Sequence, residues 1–212
     1  MYLPSHFEET RVEILHGLIR VHPLGALITF EADGLNANHI PFEIAPDPGP
    51  LGTLRAHVAR ANPVWHEFSR EVEPLVIFQG PHTYITPSWY PSKKETGKVV
   101  PTFNYIVVHA YGTMRVLEDA DWLRKFVVKL TDRFESPRAQ PWAVSDAPDD
   151  FVTMQLRAIV GVEIQLTRLI GKWKTSQNRP AADQLGVVAG LRESEDAMAL
   201  AMAVAVERNP KP

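Results

Sequence analysis

Hydrophobic positions near the start of the chain, Val12, Leu15, Leu18 and Ile19, recur at helical spacing, and His22-Pro23 closes the run because the position before proline disfavours helix. This pattern predicts a short amphipathic helix over 10–21. Beyond it the apolar runs shorten. Those at 24–30 and 37–44 are bounded by Gly34 and by Pro46-Asp47-Pro48-Gly49-Pro50, as expected of antiparallel strands, and a third strand follows at 51–58. Asn62-Pro63 places a capping side chain before a proline at the first helical position, which predicts a helix over 63–72. Strands are expected at 75–79, 82–86 and 103–116, and Asp119 opens a helix to about 134 with Trp122, Phe126, Val127 and Leu130 on one face. A short helix at 150–158, a last strand at 160–169 and two helices at 181–191 and 195–207 complete the chain. Strands interrupted by helices without regular β–α alternation indicate an α+β fold.

With 212 residues, 45% of them hydrophobic and 22% charged, the chain has the size of one well-filled domain, 1–212, carrying 181–208 as a helical tail packed on it. Cysteine is absent, which excludes disulfides, thiolate metal sites and cysteine catalysis. No leader pattern or apolar run of membrane-spanning length is present, so a cytoplasmic protein without a membrane partner is the expectation. The formal charge of -3 lacks the basic surplus of a strong nucleic-acid binder.

The chemistry concentrates in Gly171-Lys172-Trp173-Lys174-Thr175-Ser176-Gln177-Asn178-Arg179, directly after the last strand. Cations, hydroxyls, carboxamides and an indole in one loop suit a flat aromatic ligand ending in phosphate: Lys174 and Arg179 neutralise, Ser176 and its neighbours donate hydrogen bonds, and Trp173 offers a stacking surface. Flavin mononucleotide (FMN) has that shape. Several tempting motifs fail. His66-Glu67-Phe68-Ser69-Arg70 carries Arg70 where a zinc-protease helix needs its second histidine, so no metal is expected. There is no Gly-x-Ser-x-Gly elbow, and neither a Rossmann nor a Walker loop, so any FMN must sit on strands.

Three further blocks, Asn36-Ala37-Asn38-His39-Ile40-Pro41-Phe42 with His57-Val58-Ala59-Arg60-Ala61-Asn62-Pro63, Gln79 to Lys93, and Val99-Val100-Pro101-Thr102-Phe103-Asn104-Tyr105, complete a series. In wording, order and spacing the series resembles the PaiB-type family of FMN-binding negative transcriptional regulators. The resemblance implies a split β-barrel of the pyridoxamine-phosphate-oxidase-like type with peripheral helices, FMN as cofactor, and a homodimer with flavin sites between subunits. It also implies that the Asn38–His39 strand runs along the flavin, although alternation sends these two side chains to opposite faces.

Arg60, Lys93, Lys174 and Arg179 are the candidate phosphate cations, with Arg60 and Lys174 favoured. Arg60 lies between a strand and a helix N-terminus at Asn62, where guanidinium and helix-end amides can converge on one anion, and its alternative is a surface ion pair. His39 is a flavin contact or a turn cap, and His57 a cofactor contact or a solvent-facing strand residue. Trp89, in Pro-Ser-Trp-Tyr-Pro, belongs to a binding surface or a subunit contact. Thr102 and Asn104 alternate on one strand face and can aim at one site, and Gln177 adds a carboxamide. Three functions remain open: an FMN-binding regulator, an FMN-dependent reductase or oxidase of unassigned substrate, and a direct DNA-binding repressor. The last lacks a reading element, because 197–204 offers Ala, Met, Leu and Val where a recognition helix needs Arg, Lys, Asn or Gln.

Overall fold

The amphipathic opening segment folds as α1 (Val12–Val21), preceded by the two-residue strand β1 (Glu8–Glu9) in the computed structural model, which describes residues 1–208. There follow β2 (Leu24–Glu31), β3 (Gly34–Pro41), β4 (Glu43–Ala45), β5 (Thr53–Ala59), α2 (Val64–Glu67), β6 (Leu75–Ile85), α3 (Ser92–Thr96) and β7 (Thr102–Leu117). The chain continues through α4 (Ala120–Glu135), α5 (Asp149–Arg157), β8 (Ile159–Lys174), α6 (Ala181–Arg192) and α7 (Ala197–Arg208). The strand order is β3-β2-β6-β7-β8-β5-β4, with β1 on β8. This is an α+β split barrel.

The chain divides into two compact units. One comprises Ile19–Ile77 and Ala110–Leu169. There β2 pairs antiparallel with β3 from Leu24↔Pro41 to Glu31↔Gly34, and β5 pairs with β8 from Thr53↔Gln165 to Ala59↔Ile159. Leu27, Phe42, Leu54, Ala56, Val76, Val160, Val162 and Ile164 are fully buried in it. A second apolar cluster joins Leu123, Val152 and Leu156 of α4 and α5 to Val144. Gly161 allows Trp122 onto β8, since a Cβ there would lie 2.5 Å from the indole. The other unit comprises Met1–Leu18, Phe78–His109 and Ile170–Pro212. Phe7, Leu15, Phe78, Ile85, Ile106, Val108, Leu191 and Met202 are buried there, β1 pairs with the end of β8, and α6 packs on α7.

Four expectations change. The helix expected over 63–72 stops at Glu67: Asn62 caps it by accepting from Val64 N, but Ser69 N bonds to Phe30 O at 2.7 Å, and the Ser69 hydroxyl collects the amides of Glu71 and Val72. A local side-chain turn and one long-range backbone bond override helical propensity. The strands expected at 75–79 and 82–86 are one strand, because Gly80 serves packing rather than a turn: its Cβ would stand 2.7 Å from Leu18 Cδ1. The strand expected at 37–44 breaks at Phe42, whose amide bonds to Pro23 O. Finally, β8 continues to Lys174, so the Lys-Trp-Lys triplet is strand and the loop begins only at Thr175.

Candidate functional site

Because Lys172 and Lys174 are strand residues two apart, they share a face of β8. Their ammonium groups lie 5.1 and 6.0 Å from the centre of the Tyr105 ring. Lys172 is buried and donates to Tyr2 O, and Lys174 Nζ donates to Thr102 Oγ1 at 2.5 Å. The chain then turns through Ser176, whose φ of 67° is in the left-handed region. Gln177 braces the turn from within: its Oε1 accepts from Thr175 N at 2.8 Å and its Nε2 donates to Trp173 O at 2.5 Å. Arg179 lies 4.7 Å over the ring of buried Tyr90. Asn104 reaches the turn from β7 and donates to Ser176 Oγ at 2.9 Å.

No carboxylate among the described residues forms an ion pair with Lys172, Lys174 or Arg179. Burial first, then the charges of Lys172 and Arg179, hold the Lys174 ammonium below the ordinary lysine value. Asn104 Oδ1 and Thr175 Oγ1 are buried without a hydrogen-bond partner among the described residues. Concentrated positive charge beside a buried Thr175 hydroxyl that is free to donate is an arrangement that a phosphate ester completes. The residues present therefore fit the phosphate end of FMN.

Trp89 is seated on α6 of its own unit, where a Cβ at Gly190 would come within 2.3 Å of the indole and one at Gly186 within 2.0 Å of Trp89 O. Trp89 thus packs on its own unit and stays partly exposed. Lys93 is exposed on α3 with its Nζ 3.4 Å from Ser88 Oγ. Trp173 borders a surface groove with Glu9, Arg11 and α7 residues.

In the unit of 19–77 and 110–169, Asn38 Oδ1 accepts from Asn62 Nδ2 at 2.8 Å, and Asn36 carries the carboxamide chain to the buried Glu31 carboxylate. His39 lies on the opposite, exposed face of β3. Arg60 takes its ion-pair alternative, at 2.6 Å from Glu118, and also donates to Arg157 O and Ile159 O. The helix behind it has only one turn, with its first free amide already capped by Asn62, so the expected convergence of helix-end amides does not form. His57 is half-buried: Phe126 of α4 packs edge-on at 5.9 Å, and burial holds the imidazole below its ordinary value. Lys172 was not among the phosphate cations named from sequence, Thr175 entered only as one hydroxyl of the loop, and Tyr90 only beside Trp89. The period-two placement of Lys172 and Lys174 was the available signal.

The α+β fold thus carries a cationic, hydroxyl-bearing turn at the end of β8. Residues 1–168 match the family model described as "Putative FMN-binding domain", and the chain belongs to that family. It is 30% identical over 207 residues to "Protease synthase and sporulation protein PAI 2" of Bacillus subtilis (strain 168), covering 98% of this chain and 97% of that one. It is 38% identical to "Uncharacterized protein AN0679" of Emericella nidulans, covering 90% of each chain. Among solved structures, a conserved hypothetical protein, Rv2991 from Mycobacterium tuberculosis, superposes with a TM-score of 0.59 at 14% identity, covering 85% of this chain and 94% of that one. The flavocytochrome Anf3 from Azotobacter vinelandii gives 0.58 at 10%, covering 81% and 72%. The chain is thus an FMN-binding flavoprotein resembling the PaiB type. Among the described residues no helix is long and apolar enough to cross a membrane.

Proposed function

We propose that FMN is held noncovalently with its phosphate against Lys172, Lys174 and Arg179, and with Thr175, Ser176, Asn104 and Thr102 supplying polar contacts around the Ser176 turn. The observation that carries this reading is the cluster of three cations without a carboxylate ion-pair partner among the described residues, beside the buried Thr175 hydroxyl, which has no hydrogen-bond partner among them. Gln177 acts as a positioning residue, fixing the turn rather than touching the ligand. Bound FMN supplies redox chemistry at its isoalloxazine ring, and the chain's part is to bind and orient it. Absorption spectra of the purified protein, with the flavin identified after denaturation, test this reading. Flavin without a phosphate requirement would overturn it.

The same reading makes the protein a cytoplasmic homodimer built from one domain per chain. Self-association is supported by exposed apolar side chains in each unit: Phe30 and Leu35 on the β2–β3 hairpin, Tyr84 against Phe103, and Met198, Leu200 and Val204 on α7. Sedimentation at micromolar concentration with FMN present is expected to show dimer, and monomer alone would contradict it. A regulatory role is proposed from likeness to PAI 2. Direct DNA reading is disfavoured by α7, whose Arg208 is its single cation and whose Glu207 pairs with Arg192. Nicotinamide-dependent reduction with turnover of an acceptor would replace the regulator by an oxidoreductase.

A further inference from the structure

His57 borders a cavity of about 260 Å³ lying wholly within the unit of 19–77 and 110–169. Its walls are Val127 of α4, Val144, Val152 and Leu156 of α5, and Ile159 of β8. Trp142 and Phe151, each 48% exposed, stand at its edge, and Gln155 is the other polar side chain that lines it. No charged residue contributes to the wall. A phosphate or carboxylate would find no counter-charge there, which separates this cavity chemically from the Lys174 turn.

The imidazole is the unusual part of the wall. It is pinned by Phe126, itself stacked on Trp122 at 5.2 Å. Its Nδ1 is buried with no hydrogen-bond partner among the described residues. Burial keeps the ring neutral, so it carries one proton to be placed. A proton on Nδ1 would bury an orphaned N–H, whereas a bare lone pair there costs less; the proton therefore belongs on Nε2, giving one neutral donor in an apolar wall. Cavities of about 150 Å³ lined by aliphatic and aromatic groups accept benzene, so the volume here suits two fused rings.

From this geometry we infer a second small-molecule site, separate from the proposed FMN-phosphate contacts, for a neutral, flat aromatic compound of one or two rings bearing a carbonyl oxygen that accepts from His57 Nε2–H. The apolar walls supply affinity, and the single donor selects carbonyl compounds over the parent hydrocarbon.

The test uses the full chain loaded with FMN and two probes, 1-tetralone and its hydrocarbon counterpart tetralin. Proton–nitrogen NMR is recorded on the histidine rings and the Trp142 indole, with His57 assigned from His57→Phe. We expect His57 to show the Nε2–H tautomer, and 1-tetralone to shift His57 and Trp142 saturably. Tetralin should bind about tenfold more weakly, the worth of one hydrogen bond in an apolar site. His57→Phe should equalise the two probes, and Val152→Trp, which fills the cavity, should abolish both while FMN affinity is unchanged. Absence of a saturable His57 shift in the unmodified protein overturns the site, as does probe binding that survives in folded Val152→Trp. Should Val152→Trp fail to fold, the unmodified protein decides alone. FMN affinity is read separately, so the two proposals fail independently.

Discussion

Arg60 and the Lys172–Arg179 segment offered the same kind of charge to a phosphate, and they are used in opposite ways. Arg60 is neutralised: Glu118 lies 2.6 Å away, and two main-chain carbonyls take further guanidinium protons. Lys172, Lys174 and Arg179 have no carboxylate ion-pair partner among the described residues, and burial together with the charges of Lys172 and Arg179 raises the cost of charging Lys174. A cation that has its partner within the protein is part of the fold. Like charges held together without one are stabilised by an anion from outside, which is how perturbed ionisation marks a binding site.

The sharpest way to break this contrast is to remove charge from each region in turn. Lys172→Met with Lys174→Met keeps most of the apolar stems, and loss of two charge-assisted contacts at about 1.5–3 kcal/mol each should weaken FMN binding by at least about a hundredfold in a fluorescence titration. A change below threefold would remove the cluster from the site. Arg60→Met should instead leave FMN affinity within about threefold and cost about 1 kcal/mol of stability by urea unfolding, the scale of a partly exposed ion pair. A large loss of affinity with unchanged stability would invert the comparison.

Lys174 also sets a pH signature. Its folded value lies below the ordinary 10.5, so between those two values the unfolded chain holds more protons and FMN-free stability rises with pH. At neutral pH both states are protonated and the cost of the buried charge is present in full. Urea midpoints measured without FMN from neutral pH to about 10.5 should therefore climb in the parent relative to Lys174→Met, with FMN removing the difference. Identical pH profiles would show that the ammonium is not under electrostatic stress. A smaller effect is expected from Gln177→Ala: loss of two bracing hydrogen bonds should lower FMN affinity severalfold by loosening the turn, with part of it recovered in Gln177→Glu, whose oxygen can still accept from Thr175 N. Equal affinity in Gln177→Ala would show that the turn needs no brace.

The strongly periodic elements were legible in the sequence. α1, β2 and α4 lie within a few residues of their expected places, because apolar spacing there reports a face that is in fact buried, and the two C-terminal helices also fall close to theirs. The misplaced features depend on distant partners. Nothing near Ser69 announces that its amide bonds to Phe30 O, and Gly80-Pro81 reads as a turn until Leu18 is found where a Cβ would stand. Of the residues of the proposed site, Thr102, Asn104, Lys174 and Ser176 were named from sequence, and the structure joins them pairwise across β7 and the β8 turn. Lys172 was missed because two lysines around a tryptophan look like a solvated loop, whereas alternation along a continuing strand puts both on one face. The seat of Trp89 was visible only as two glycines four apart in α6, a pairing whose meaning depends on which ring lands there.

The most direct test of the central claim compares FMN with riboflavin, which lacks the phosphate, on the parent protein and on Lys174→Met. If Lys174 faces the phosphate, the parent should prefer FMN strongly, and the substitution should reduce that preference by about tenfold or more while leaving riboflavin affinity within about twofold. Equal losses for both ligands, or a preference for FMN that persists undiminished in Lys174→Met, would contradict the assignment of the phosphate to this turn.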